Sequence, residues 1–278
     1  MAGKCKFMLL AAGAVALSIL IQREARAANA APTAPVPAPA MAAAAPPSAL
    51  FGPPAICFPI DIGDAPSLPW AKPHAWSAKV PDYDVTRCVD DTLAVLDGSD
   101  DALVHMETLR RFGVYVSGIG GDKPKTAEWR AMETQRLLNN LQQRAESKPT
   151  TTTSGRAAAA AVEAASRTLG LRWFDLAYLK VVLSQSGLHR TDLDLAALQT
   201  ALELRPGDGA LHFGAAVASF DSRESRKLMW PNLDKALELA QDHDGLLSRN
   251  IVAVMGHFLG ADTRELLEEK VARELQSA

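Results

Sequence analysis

Apolar side chains recur at helical spacing along most of the chain from residue 84 onward. Phe174, Tyr178 and Val181 form one such stretch, and Phe213 and Phe220 mark a later one. Intervals of three, four and seven residues place these side chains on one face of an α-helix, whereas a half-buried strand would alternate every second residue. Because each amphipathic helix must bury its apolar face against a neighbour, the pattern predicts an all-α domain over residues 84–278, built as an array of antiparallel helix pairs.

Capping residues and breaks indicate where individual helices begin and end. Asp84 and Thr126 are typical N-cap residues, and Gly170 is expected to stop an alanine-rich helix. The predicted helices outside the repeats described below span residues 84–96, 100–116, 126–146, 156–169 and 263–275. Polar or glycine-rich breaks separate them, which predicts consecutive helices joined by short loops.

The N-terminus has the order of segments that is typical of a secretory signal peptide. Lys4 and Lys6 precede an uncharged, largely apolar run over residues 7–21, and Ala25 and Ala27 supply the small residues of an A-x-A cleavage site. Cleavage after Ala27 is predicted, with Ala30 as a second site and an uncleaved membrane anchor as the alternative. The protein is therefore expected to be exported to a periplasmic, cell-envelope or extracellular location, with no transmembrane domain after cleavage.

Two segments of different composition follow the signal. Residues 28–55 consist almost entirely of Ala and Pro and carry no charge, which predicts a disordered linker. Residues 56–83 remain rich in Pro but add apolar and aromatic side chains, including Phe58, Ile60 and Trp70. Apolar and aromatic side chains gain free energy when they are buried, which a solvated linker does not allow. This segment is therefore expected to be an extended arm that packs on the helical body.

The cysteines suggest a covalent link between the arm and the body. Cys5 would leave with the signal peptide, so Cys57 and Cys88 remain as an even pair in an oxidising compartment. A disulfide between them is predicted, and it would stabilise the fold by about 3 to 4 kcal/mol through loop entropy. The alternative is two buried free thiols, because cysteine packs well as a small apolar residue.

The C-terminal third contains an internal repeat with an offset of 35 residues. The segment Leu198-x-x-Ala201 recurs as Leu233-x-x-Ala236, and a polar break follows each copy. This period resembles the tetratricopeptide repeat, a pair of antiparallel helices of about 34 residues. Over residues 175–258 the chain has an aromatic, aliphatic, small or closing residue at matching family positions: Tyr178, Val181, Leu198, Ala201, Pro206, Phe213, Phe220, Leu233 and Ala236.

The resemblance implies a location for partner binding. The family binds peptides on the face formed by the first helix of each pair, and the matching positions here are Leu176, Leu179, Leu183, Leu211 and Ala218. These residues are apolar and lack the Lys and Asn side chains that hold a peptide carboxylate. The face is therefore expected either to bind an apolar partner or to be covered by the protein's own N-terminal helices or arm.

Charge and composition exclude some classes of partner. The net charge is −3, and removing a signal segment of charge +3 leaves a mature chain of −6. An acidic chain without clustered Lys and Arg does not fit nucleic-acid binding, so no nucleic-acid partner is expected.

The sequence contains no motif that specifies a reaction. The six histidines are scattered without a zinc-binding spacing, and no G-x-S-x-G elbow is present, so no catalytic, cofactor-binding or metal-binding residue is assigned and no cofactor is expected. Two carboxylate pairs, Asp61 with Asp64 and Asp90 with Asp91, could act as acid and base, so a hydrolase remains an alternative. Glu107, with Arg110 and Arg111, is interpreted as part of a solvated helix face with local ion pairs.

The sequence therefore favours an exported, non-catalytic helical scaffold that binds a protein or a component of the cell envelope. One alternative is a hydrolase of an envelope polymer with a carboxylate site. The other is a structural spacer that an uncleaved N-terminal segment anchors to the membrane.

Overall fold

A computed structural model describes residues 53–72, 74–119, 126–147, 156–190, 193–220, 225–240 and 245–259. All of them belong to one compact unit, Pro47–Ala278. The predicted signal peptide with its Ala27 cleavage site, nearly all of the Ala/Pro-rich linker and the helix predicted over residues 263–275 lie outside these ranges.

Ten α-helices account for most of the described residues. They are α1 Pro54–Cys57, α2 Cys88–Gly98, α3 Ala102–Ser117, α4 Ala127–Glu146, α5 Arg156–Gln185, α6 Leu195–Leu204, α7 Gly209–Ala218, α8 Arg226–Leu239, α9 Gly245–Asn250 and α10 Gly256–Leu259. A 3₁₀ turn at Val85–Arg87 precedes α2, and a π-helical segment at Ile251–Met255 joins α9 to α10. Within the described ranges there is no β-strand beyond a single antiparallel bridge between Trp70 and Lys79, so the predicted all-α class is confirmed.

Helix α3 lies at the centre of the body. Every residue from Ala102 to Val116 is buried except Arg111. The helix is apolar around most of its circumference, which is the pattern of a fully enclosed helix. It starts at Asp101, whose side chain accepts the Leu103 N–H, and it ends at Gly118, whose φ of 73° is in the left-handed region that glycine adopts at low cost.

The other long helices pack around α3 and against one another in pairs. Helix α5 packs on α4 and on α6, α7 packs on α8, and both α5 and α7 contact α3. Two glycines permit the close contacts. A Cβ on Gly113 of α3 would lie 2.5 Å from Val182 Cγ1, and one on Gly214 of α7 would lie 2.4 Å from Phe174 Cζ. Both glycines therefore allow backbones to approach at a distance that any side chain would prevent.

Between Phe58 and Tyr83 the described residues form no helix, and apolar side chains of this segment pack on the body. Ile60, Ile62 and Leu68 are buried. Tyr115 of α3 donates a hydrogen bond to the Pro69 carbonyl at 2.5 Å. The linker predicted to reach residue 55 ends earlier, because Pro54 and Ala55 lie in α1 and are buried.

The predicted disulfide between Cys57 and Cys88 is wrong, because both are free thiols. Cys57 ends α1, which packs on α3, α5 and α7, whereas Cys88 begins α2, which packs on α3 and α4. Both helices pack on α3, but their other main contacts are with different helices, and the two thiols are not bonded to each other. Burial raises the pKa of the Cys57 thiol, and burial raises that of Cys88 to about 12.

Some helix ends differ from those predicted. Helix α4 follows its Thr126 cap as expected, but α2 starts at Cys88, because the Asp84 side chain accepts the Thr86 N–H and caps the 3₁₀ turn instead. Helix α5 does not stop at Gly170. A Cβ there would lie 2.8 Å from Arg205 Cγ, so the glycine makes room for an arginine packed against the helix. Tertiary packing thus outweighs the helix-breaking tendency of this glycine.

Candidate functional site: an apolar groove

An apolar groove of about 1010 Å³ opens where the N-terminal end of α3 meets α5 and the turn between α6 and α7. We call it the apolar groove and define it by residues from five helices: Ala102, Leu103, Val162, Leu204, Leu239 and Leu247. The start of α3, the N-terminal half of α5, the turn between α6 and α7, the end of α8 and the start of α9 form its walls. Its volume is at the upper end of the range typical of ligand sites.

The start of α7 lets neighbouring helices approach the groove closely. The Asp208 side chain accepts the Leu211 N–H at 3.0 Å and starts α7 directly after the α6–α7 turn. A Cβ on Gly209 would lie 2.8 Å from Leu247 Cδ2 and 3.0 Å from Leu239 Cβ. Glycine at the first position of α7 therefore lets α8 and α9 close against this turn.

Arg205 holds the rim of the groove together. Its side chain is 5 % exposed, and it pairs with Asp100 and Asp208, each at 2.8 Å. It also donates to the Asp100 carbonyl at 3.0 Å and to the Arg167 carbonyl at 3.3 Å. One guanidinium thus connects the α2–α3 loop, α5 and the α6–α7 turn, a fan of bonds that suits its rigid set of donors.

The groove combines an apolar lining with an acidic rim. Four carboxylates line it, those of Asp100, Asp101, Glu163 and Asp208, against the two guanidiniums of Arg167 and Arg205. The resulting balance is −2. Val162 in the same wall is 54 % exposed, so the groove offers unburied apolar surface next to negative charge.

The residues suggested as a partner-binding face lie elsewhere. Leu176, Leu179, Leu183, Leu211 and Ala218 are all buried, none of them more than 1 % exposed. Helix α3 packs against α5 and α7, the two helices that carry these residues. The face implied by the repeat resemblance is therefore covered by the chain itself and presents no surface to a partner.

A buried histidine–carboxylate pair joins α3 to α5. His105 Nδ1 lies 2.7 Å from Asp175 Oδ1, and Nε2 lies 3.1 Å from the Ser99 carbonyl oxygen. An ionised carboxylate and a carbonyl only accept, so these two partners favour the ring with a proton on each nitrogen. Burial opposes this charge, but Asp175 and the Ser99 carbonyl outweigh burial and raise the pKa of His105 above its ordinary value.

A second buried cluster joins α3 to the segment before α2. Glu107 accepts from Arg110 through both carboxylate oxygens, at 2.7 and 2.8 Å, and from Arg111 at 2.7 Å. It also accepts the Ile60 N–H at 2.9 Å, and Arg110 donates to the Trp76 carbonyl at 2.8 Å. Burial favours the neutral acid, but the two guanidiniums hold the pKa of Glu107 below its usual range.

The interpretation of Glu107, Arg110 and Arg111 as a solvated face is wrong. Glu107 and Arg110 are 1 % and 0 % exposed, and the guanidiniums of Arg110 and Arg111 lie 5.2 and 5.4 Å from the centre of the Trp70 ring. The sequence did carry a signal for burial. Apolar residues surround these charges on every side of α3, as in Leu103, Met106, Leu109, Phe112 and Val116. The His105–Asp175 pair had no such signal, because 70 residues separate its members.

Three of the four carboxylates that suggested a hydrolase site, those of Asp61, Asp90 and Asp91, are engaged in hydrogen bonds or ion pairs. Asp61 accepts the Gly63 N–H and pairs with Arg249 at 3.1 Å, and these groups outweigh burial to lower its pKa. Asp91 accepts from the Tyr83 hydroxyl at 2.9 Å, and Asp90 pairs with Arg136. A general acid for glycoside hydrolysis needs a raised pKa, so the lowered pKa of Asp61 is unsuited to that role.

The described ranges contain neither a candidate metal-binding group nor a candidate membrane-spanning helix. No group of three or more His, Cys, Asp or Glu side chains there is placed to hold a metal ion. None of the helices in these ranges is both long and apolar enough to cross a bilayer.

Comparison of the chain with protein-family models, with curated proteins and with solved structures finds no match. The groove and the buried charges of this chain are therefore the grounds for a functional proposal.

Proposed function

We propose that this protein is an exported, non-catalytic helical scaffold that binds a protein partner in the apolar groove. The observation that carries the proposal is the groove itself, an apolar concavity of about 1010 Å³ that the chain's own described helices leave open. A contiguous apolar surface inside a concavity is typical of interaction sites. Single exposed apolar side chains, by contrast, are common on protein surfaces and do not mark a site.

The shape and charge of the groove favour one kind of occupant, an amphipathic helix with basic edges. The helices that line the groove leave an apolar channel between them, which suits a helix that presents its own apolar stripe. The Glu163 carboxylate would face Lys or Arg side chains at the edge of that stripe, whereas Asp100 already pairs with Arg167 and Arg205. Complementary charges of this kind would fix the orientation of the partner and speed its association.

The non-catalytic part of the proposal rests on how the buried charged groups are used. Both ring nitrogens of His105 are hydrogen-bonded to fixed partners, so neither nitrogen is free to take a proton from a substrate. Glu107 accepts four hydrogen bonds from neighbouring groups. These groups stabilise the contacts of α3, and this favours the scaffold over the hydrolase.

The repeat resemblance and the N-terminal segments complete the proposal. The helix pairs α5–α6 and α7–α8 would correspond to two tetratricopeptide-like hairpins, with α3 lying where a family member would bind its peptide. Residues 28–52 would tether the body after removal of a signal peptide at Ala27, and residues 56–83 would form the arm. N-terminal sequencing of the exported protein tests the cleavage, because a chain that still starts at Met1 would support the anchored spacer instead.

A defined peptide tests the groove directly. The probe is a labelled amphipathic helical peptide with leucines on one face and lysines at its edges, and binding to the full chain is measured by fluorescence anisotropy. Val162→Lys places a cation on the apolar wall, and it is expected to weaken binding by at least about tenfold, or 1.4 kcal/mol. Val162 is exposed in the free protein, so this change leaves the core intact.

Two controls make the result specific. Leu228→Lys changes an apolar residue of α8 that is 38 % exposed and does not line the groove, and it is expected to leave the affinity unchanged. A peptide with glutamates in place of the lysines is expected to bind more weakly than the basic peptide. Absence of saturable binding, or equal loss in both variants, would exclude the groove as the binding site.

A further inference from the structure

A second cavity, of about 630 Å³, lies along α5 next to the apolar groove, and the two share Asp100, Glu163 and Arg167 in their linings. We call it the arginine cavity, and it is lined by three arginines and three apolar residues: Arg144, Arg167, Arg172, Leu96, Ala164 and Leu171. The end of α2, the α2–α3 loop and the end of α4 form its other walls. It thus brings three guanidiniums to one partly open concavity, together with apolar surface and four carboxylates.

The three arginines differ in how their charges are compensated. Arg144 pairs with Asp97 at 2.6 Å, and Arg167 pairs with Asp100 at 3.2 Å. Arg172 donates from Nη1 to the Arg144 carbonyl at 3.4 Å, and no carboxylate of the described residues lies within ion-pair distance of it. Arg172 is half-buried, so part of its hydration is lost without a counter-ion in return.

We propose that the arginine cavity binds an organic carboxylate, with Arg172 as the residue that pairs with it. A charged side chain that leaves water is normally paired, and the planar fork of arginine matches the two oxygens of a carboxylate. Leu96, Ala164 and Leu171 offer apolar surface to the body of such a ligand. The volume of the cavity fits a molecule larger than a single ion.

The acidic residues of the same cavity restrict the ligand to a single negative charge. Glu163 lies nine residues before Arg172 on α5, which corresponds to about 13.5 Å along the helix axis. Asp97, Asp100 and Asp175 line the cavity as well, each paired with an arginine or histidine side chain. A second anionic group, or a doubly charged phosphate, would meet these carboxylates, so the far end of the ligand is neutral or cationic.

The test compares acids with matched amides on the full chain by isothermal titration calorimetry. Hexanoate against hexanamide represents a small organic acid, and tetra-alanine with a free or an amidated C-terminus represents the end of a peptide chain. Saturable binding of either acid, at least about tenfold tighter than its amide, supports the site and identifies the source of the carboxylate. This comparison uses the unaltered protein and does not depend on the folding of a variant.

Two variants then locate the site. Arg172→Gln is expected to weaken binding of the acid by at least about tenfold. Arg190→Gln, which changes an exposed arginine outside the cavity lining, is expected to leave the affinity unchanged. The proposal is overturned if neither acid binds below about 10 mM, if acid and amide bind equally, or if Arg172→Gln retains the full affinity.

Discussion

At the scale of single residues, the body depends on charged side chains placed where apolar ones would be expected. Glu107, Arg110, His105 and Asp175 are all almost completely buried, and each finds a partner of opposite charge. Removing one member of a buried pair leaves a charge without compensation in a medium of low dielectric constant. The substitutions with the largest effect should therefore be found among these residues.

Glu107→Gln is expected to lower the free energy of unfolding by about 3 to 5 kcal/mol, because it leaves the buried Arg110 guanidinium without a counter-ion. Urea denaturation followed by circular dichroism measures the change. Glu238→Gln is the control, since Glu238 is 62 % exposed in its pair with Lys235, and such pairs contribute at most about 1 kcal/mol. Equal effects of the two substitutions would contradict a structural role for the buried cluster.

The His105–Asp175 pair predicts how stability depends on pH. Because the pKa of His105 is raised on folding, its contribution is complete below about pH 6.5, the pKa in the unfolded chain, and is lost as the pH rises through the higher folded pKa. The free energy of unfolding should therefore fall on going from pH 6 to alkaline pH, even though Arg205 opposes the charge on the ring.

Two substitutions separate this contribution from those of other groups. Asp175→Asn should flatten the decline in the free energy of unfolding, because it removes the carboxylate that raises the pKa of His105. His189→Gln changes an exposed histidine and should leave the decline as it is. A steep decline that persists in Asp175→Asn would assign the pH dependence to a different group.

At the scale of helices, local signals in the sequence located some elements and could not locate others. The helix predicted over residues 126–146 matches α4, because the Thr126 side chain accepts the Trp129 N–H and caps it. The prediction for α5 stopped 16 residues early, since the reason for Gly170 is the contact with Arg205, which lies far away in the sequence. Hydrophobic periodicity predicts whether a segment is helical, but a glycine can either end a helix or, within a helix, allow a neighbouring side chain to approach closely. The sequence alone does not distinguish these two roles.

The crossing of α7 with α5 and α3 gives a prediction at this scale. Gly214→Ala is expected to lower the free energy of unfolding by about 1 to 3 kcal/mol, because the new Cβ would lie 2.4 Å from Phe174 Cζ and 3.0 Å from Met106 Sδ. Gly207→Ala, at a glycine with nothing within 4 Å of its Cβ position, should be close to neutral. If thermal unfolding shows both variants to be equally stable, the helices do not approach as closely as described.

At the scale of the whole molecule, the body is a set of paired helices with a buried helix at its centre. Helix α3 contacts α5 and α7 and covers the apolar face that the repeat resemblance had left open for a partner. The interaction surface proposed here lies instead at the N-terminal end of α3. The sequence could not indicate this groove, because its walls come from helices that lie far apart in the chain, between residues 100 and 247. Local periodicity and short motifs do not predict which helix ends lie next to each other in the folded protein.

Hydrogen–deuterium exchange on the full chain, with and without the basic amphipathic peptide, tests the proposed binding surface most directly. The peptide is predicted to slow exchange in the parts of α5 and of the α6–α7 turn that line the groove, residues 159–167 and 204–210, and to leave the outer face of α4 unchanged. Slower exchange confined to α4 or to residues 58–83, or no change at any position under saturating peptide, would contradict a scaffold that binds its partner in the apolar groove.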